Sequence, residues 1–169
     1  MEYCDVYNAS GAKTGRVAVR GAWHRGEGEY LLSVHILIKN SKGKYLIQKR
    51  SDLKKSLPGV WNLTCGMVDA GEEALDAVVR EVKEEIGIDV SADDAVYGGR
   101  SVMRALFADI WLVNADFDLS ECTLQKDEVS MVKWVDKDEL ISTLFRSSQK
   151  TGEYKRIVES LINGEESDG

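Results

Sequence analysis

Several shortages in this sequence exclude classes of protein before any motif is read. There are three cysteines, Cys4, Cys65 and Cys122, far apart and odd in number. They show neither paired metal-ligand spacing nor the pattern of a disulfide framework. Histidine is scarcer still, and His24 and His35 have no partner at ligand spacing. Proline occurs once, at Pro58. No apolar run approaches the ~20 residues that a membrane helix needs. The N-terminal segment lacks a basic stretch followed by an apolar one, so no secretory signal is visible. A reducing, cytoplasmic setting without a membrane partner is expected. Positive charge is short as well: 22 Lys and Arg against 29 Asp and Glu leave a net charge of −7. An acidic surface repels a nucleic-acid backbone, which argues against a polymer partner. A nucleotide can still be held through local basic residues or a metal.

The composition that remains is that of an ordinary globule, 43% hydrophobic and 30% charged, sufficient for one core in 169 residues. Residues 1–29 read as a β-hairpin extension with its turn at 10–15. The main domain spans 30–163, and the polar stretch 164–169 reads as a flexible tail. Alternating or apolar segments predict strands over 31–38, 45–48, 60–65, 96–103, 106–113 and 131–135. In the strand 31–38, Leu32, Val34, Ile36 and Ile38 share one face, and Leu31, Ser33, His35 and Leu37 the other. Helices are expected over 73–86, 137–144 and 153–162, with a basic loop at 49–56 and irregular chain over 114–128. Strands mixed with few helices imply an α/β sandwich with a mixed sheet.

The helix over 73–86 holds the chemistry. On a helical wheel Leu75, Val79, Val82 and Ile86 form one stripe with Val78 beside it, and this stripe is the expected buried face. Glu81, Glu84 and Glu85 occupy a second arc, where i,i+3 and i,i+4 spacing lets all three approach one point. Like charges so placed repel one another unless a cation neutralises them. Mg²⁺, a hard ion bound through a few carboxylates and substrate phosphates, suits that task. Read alone, such an arc is more often a solvated acidic face.

The neighbouring residues reverse that reading. Gly66, Glu72, Arg80-Glu81-Val82, Glu84-Glu85 and Gly87-Ile88 stand at fixed spacing. The pattern resembles the Nudix box, G-x5-E-x7-R-E-U-x-E-E-x-G-U with U aliphatic, and meets every specified position. The resemblance implies an α/β/α sandwich around a mixed β-sheet. It also implies Mg²⁺-dependent hydrolysis of a phosphoanhydride bond in a nucleoside diphosphate linked to another moiety, or in a nucleoside di- or triphosphate, with Mn²⁺ as a substitute. Glu81, Glu84 and Glu85 would hold the metal with a backbone oxygen of Gly66, and metal-activated water would attack phosphorus. The residue types fit their posts. Gly66 has no side chain to obstruct its carbonyl, Gly87 suits a helix stop, and Arg80 can pair with Glu72 or Glu81 and hold it in position. The general base is expected at Glu84, or at Glu128, because related enzymes often bring a carboxylate from that region.

Upstream of the box, Lys49-Arg50-Ser51, Lys54-Lys55, Pro58-Gly59-Val60-Trp61-Asn62 and Cys65-Gly66 resemble the isopentenyl-diphosphate isomerase branch of the same superfamily. Those isomerases place a catalytic cysteine where Cys65 stands and bind metal largely through histidines. Here Met67 and Tyr30 occupy two of the histidine positions, His24 lies near a third, and the box is intact. An isomerase-like Nudix hydrolase is therefore the expectation, with Cys65 a small buried residue. An isomerase using Cys65 and a non-catalytic nucleotide-binding module are the alternatives. Arg50 is expected to contact the phosphate of a small phosphorylated substrate or to shape its pocket. Trp61 and Trp111 could stack a base, although strand tryptophans are more often core. The N-terminal hairpin offers a surface on which a second subunit could form a homodimer.

Overall fold

The structure is a computed structural model that describes residues 2–21, 26–146, 150 and 152–164. His24 and the tail beyond residue 164 lie outside the described residues. A hairpin comes first, β1 (Tyr3–Asn8) and β2 (Lys13–Val19), closed by a turn in which Asn8 Oδ1 accepts from the backbone of Ser10 and Ala12. Next come β3 (Glu29–Lys39), β4 (Tyr45–Arg50), β5 (Trp61–Asn62), β6 (Thr64–Met67) and the helix α1 (Ala74–Ile86). The strands β7 (Ala95–Met103), β8 (Leu106–Asn114) and β9 (Val129–Val135) follow, then α2 (Lys137–Phe145) and α3 (Gly152–Asn163).

β3 is the frame. It pairs in parallel with β8 along its length, antiparallel with β6 over Ser33–Ile36, and at its start with β1. Its contact with β4 is one bridge, Lys39 to Tyr45, after which β4 turns away to pair with β5 and β9. The alternation along β3 sorts two cores as expected. Leu32, Val34, Ile36 and Ile38 join Val78, Val82 and Ile86 of α1, while Leu37 joins Leu140 and Leu144 of α2 and Ile157 and Val158 of α3. Helices thus cover both faces of a mixed sheet, the α/β/α sandwich. Full burial of each such aliphatic side chain contributes about 1.5–3 kcal/mol.

Three expectations need correcting. The strand read over 60–65 is two strands: the chain crosses at Leu63 from pairing with β4 to pairing with β3, a switch invisible to periodicity. Lys49 and Arg50 belong to β4 rather than to a loop. Most consequential, the buried arc of α1 is Ala77, Val78, Glu81, Val82, Glu85 and Ile86, whereas Leu75 and Val79 are only half-buried. The arc is rotated toward the glutamates by roughly 70° at 100° per residue. Hydrophobicity alone places charge outside, but here two carboxylates are packed inward beside a cavity.

Candidate active site

α1 starts after the turn at Gly71 and stops at Gly87, whose left-handed φ of 75° ends the helix with an N–H donated to the Lys83 carbonyl. The irregular segment 122–125 then docks on this end, with Thr123 N–H donating to the Ile86 carbonyl and Gln125 N–H to that of Glu85. Both ends of the acidic helix are therefore fixed, and its glutamates face a cavity of ≈ 310 Å³. Ser33, His35, Arg50, Cys65, Gly66, Arg80, Glu81, Glu84, Glu85 and Glu128 all line it, so every expected site residue except Glu72 reaches the same space. Trp61 and Trp111 do not: Lys133 lies over Trp61 at 4.6 Å, and Trp111 packs on Tyr97. A wider depression near Asn40, Val90 and Asp116 lies apart from the carboxylates.

Arg80 organises the acids. Its Nε and Nη2 donate to the two oxygens of Glu72, each at 2.8 Å, and Nη2 also reaches the Met67 carbonyl at 2.9 Å. Its Nη1 donates to Glu81 at 2.9 Å and to Glu84 at 3.1 Å. The expected pairing with Glu72 or Glu81 is thus a pairing with both. Glu72 holds Arg80 well above the ordinary guanidinium range, and Arg80 holds Glu72 below the usual carboxylate range.

The three box carboxylates have different surroundings. Glu84 is half exposed, whereas Glu81 and Glu85 are each 6% exposed. Burial pushes Glu81 up to about 7, outweighing Arg80, and Glu85 up to about 8, outweighing its hydrogen bond from Gln48 Nε2 at 2.7 Å. Two inward acids, one paired with an Arg80 that Glu72 and Glu84 also share and the other held by a neutral amide, suit a hard cation. Gly66 supports the same fit, because a Cβ there would fall inside the Glu81 carboxylate. Among the described residues no three acids, histidines or cysteines already stand at metal-holding distance. Glu81 and Glu84 turn to Arg80 and Glu85 to Gln48, so the convergence expected from helical spacing requires those side chains to rotate.

Gln48 escaped the sequence reading. Its Oε1 accepts from Thr64 Oγ1 at 2.7 Å while its amide holds Glu85, joining β4, β6 and α1. An amide ending the apolar run Tyr45-Leu46-Ile47 was the available signal. Arg50 donates from Nε to the Ser56 carbonyl at 2.7 Å and from Nη2 to Ser56 Oγ, so it shapes the loop beside the cavity. Glu128 is clamped by Lys54 Nζ through both oxygens, at 2.8 and 2.7 Å.

On another wall Ser33 Oγ donates to the Phe107 carbonyl, so it accepts from His35 Nε2, and His35 Nδ1 accepts from Tyr154 Oη at 2.8 Å. Burial, with Lys150 nearby, pushes His35 down to about 4 and fixes it as a neutral structural group. Cys65, expected as a small buried residue, is instead partly exposed on the cavity wall; desolvation and Glu85 push its thiol up to about 12, which keeps it protonated and weakly nucleophilic.

Comparison with known proteins identifies the family and the fold. The NUDIX domain family matches residues 29–157. An uncharacterized Nudix hydrolase of Listeria monocytogenes is 38% identical over 143 residues, covering 83% of each chain. An isopentenyl-diphosphate Delta-isomerase of Escherichia coli is 28% identical, covering 80% of this chain and 77% of the isomerase. Among solved structures, a Deinococcus radiodurans protein superposes with a TM-score of 0.72 at 20% identity, covering 94% of this chain and 98% of that one. The NUDIX domain of Shewanella oneidensis NrtR, solved with ADP ribose, superposes with a TM-score of 0.58 at 19% identity, covering 85% and 94%. With an unbroken box on a carboxylate helix and a family match across most of its length, this chain belongs to the Nudix hydrolase family.

Proposed function

We propose that the protein is a Mg²⁺-dependent hydrolase that cleaves the phosphoanhydride bond of a nucleoside diphosphate linked to a second moiety. The observation that carries this reading is the inward packing of Glu81 and Glu85 beside a cavity that also receives Glu84, Gly66, Arg50 and Glu128. Glu81, Glu84 and Glu85, with the Gly66 carbonyl, would hold Mg²⁺, or Mn²⁺ in its place. When bound, the ion polarises the bridging phosphates and acidifies water.

The chain's own residues do the rest. Water attacks phosphorus, the phosphoanhydride P–O bond breaks, and the proton of the attacking water passes to a carboxylate. Glu84 is the first candidate for that base, because its half-exposed carboxylate meets solvent at the cavity. Glu128 is the second, held at the cavity by Lys54. Arg80 positions Glu81 and Glu84 while Glu72 fixes Arg80. Arg50 keeps the 51–60 segment against the cavity, and its Nη1, without a hydrogen bond among the described residues, can offer itself to a phosphate. The bound ADP ribose of the Shewanella domain supports this substrate class, and the net charge of −7 disfavours a polymer.

The test is a panel of ADP ribose, sugar nucleotides, dinucleotides, nucleoside triphosphates and prenyl diphosphates, assayed with Mg²⁺ for phosphate release and product mass. Cleavage of a nucleoside diphosphate derivative, reduced about a hundredfold or more by Glu85→Gln, is expected. Cleavage that survives Glu85→Gln, or double-bond migration blocked by a thiol reagent, overturns the reading.

A further inference from the structure

The N-terminal hairpin, outside the segment matched by the family, forms a wall of the same cavity. Cys4, Val6 and Ala18 are buried together with Leu31 against Met67 and Leu106, and the last two line the cavity. Two bonds pin the hairpin to the turn that leads into α1: Ala70 N–H donates to the Tyr3 carbonyl at 2.8 Å, and Gly71 N–H donates to Asp5 Oδ2 at 2.9 Å. The ends of the hairpin, Glu2 and Arg20, are thereby fixed at the cavity, which both of them line. Arg20 lies in the field of Glu81 and Glu128.

Among the described residues four cations line this space, and they are unequally engaged. Arg80 is shared among Glu72, Glu81, Glu84 and the Met67 carbonyl, Lys54 is held by both oxygens of Glu128, and Arg50 by Ser56. Arg20 makes a single described side-chain contact, Nη1 to Glu2 at 2.8 Å, with side chains 43% and 63% exposed. An ion pair so exposed is weak, whereas a guanidinium has five N–H donors matched to phosphate oxygens.

We propose that Arg20 is a substrate-binding residue delivered by the hairpin, that it grips a phosphate oxygen of the diphosphate, and that Glu2 is a built-in competitor which the phosphate displaces. The proposal rests on the hydrolase reading for the identity of its ligand but is tested by binding. Exchange of the weak Glu2 contact for a multiply charged phosphate favours substrates whose diphosphate extends to the hairpin side, so the pair is also a determinant of specificity.

Titrating ADP into the full chain by calorimetry, without turnover, reads the contact directly. Arg20→Ala is expected to weaken ADP about tenfold, the scale of one charge-assisted hydrogen bond. Arg20→Lys should recover part of that loss, and Glu2→Gln should tighten binding a few-fold. With a cleavable substrate the Arg20→Ala effect falls on KM rather than kcat. Unchanged ADP affinity in Arg20→Ala with an unshifted melting temperature overturns the proposal, as does a loss confined to kcat. A wild-type protein that cleaves nothing overturns the hydrolase reading instead, and the ADP titration still decides Arg20.

Discussion

Glu85 is the residue on which pH acts most directly. Its folded carboxyl is pushed up to about 8 and that of Glu81 to about 7, both above the ordinary carboxylate value of 4.5. The native protein therefore holds protons more tightly than the unfolded chain. The stability these two groups contribute is complete below about pH 4.5 and is lost as pH rises through 7 and 8. In the absence of divalent cations the wild-type melting temperature should fall between pH 5 and pH 9 more steeply than that of Glu85→Gln. Mg²⁺ should reverse the wild-type fall and release protons on binding near pH 7. Parallel pH profiles for the two proteins would refute this. The box resemblance, rather than helical spacing alone, singled out Glu81, Glu84, Glu85 and Arg80, which all line the cavity. It could not find Gln48, because the partner of a buried carboxylate comes from a strand remote in sequence.

At the scale of elements, the acidic helix depends on how it is stopped. Gly87 is left-handed, and a Cβ there would meet the backbone nitrogen of Thr123 at 2.9 Å. Gly87→Ala should cost about 1–3 kcal/mol and lower turnover too, because segment 122–125 also supports the approach to Glu128. Chemical denaturation with a loss below about 0.5 kcal/mol would be inconsistent with this account. The elements themselves were largely legible. β3, β7, β8, β9 and the three expected helices stand within about two residues of where the sequence placed them, and the left-handed stop was signalled by a glycine at the end of an apolar stripe. The rotation of the buried face of α1 was not legible. Leu75 and Val79 look like core on any wheel, and only the tertiary cavity brings Glu81 and Glu85 inward in their place.

For the whole molecule, the hairpin is tied to the domain by the β1–β3 pairing, by the packing of Cys4, Val6 and Ala18 on Leu31, and by the bonds near Gly71. Removing the Asp5 carboxylate frees that N–H and also the Lys13 contact at 3.2 Å. Asp5→Ala should lower stability by about 0.5–1.5 kcal/mol and raise KM in the same direction as Arg20→Ala. A normal KM in a measurably destabilised Asp5→Ala protein would uncouple the hairpin from substrate. The sequence announced a hairpin but not its berth, since pairing Tyr7 with Tyr30 and Asn8 with Glu29 is a long-range choice that local patterning leaves open.

The crossing at Leu63 bears on how firmly Glu85 is held at the cavity. β3 and β4 part after the Lys39–Tyr45 bridge, so the chamber sits in a seam between two hydrogen-bonded ribbons, each with its own register. Gln48 is a crossbrace of that seam, touching β6 on one side and α1 above. The orientation of Glu85 toward the cavity is therefore tied to side-chain length at that brace. Shortening it releases that carboxyl while both ribbons keep their pairing.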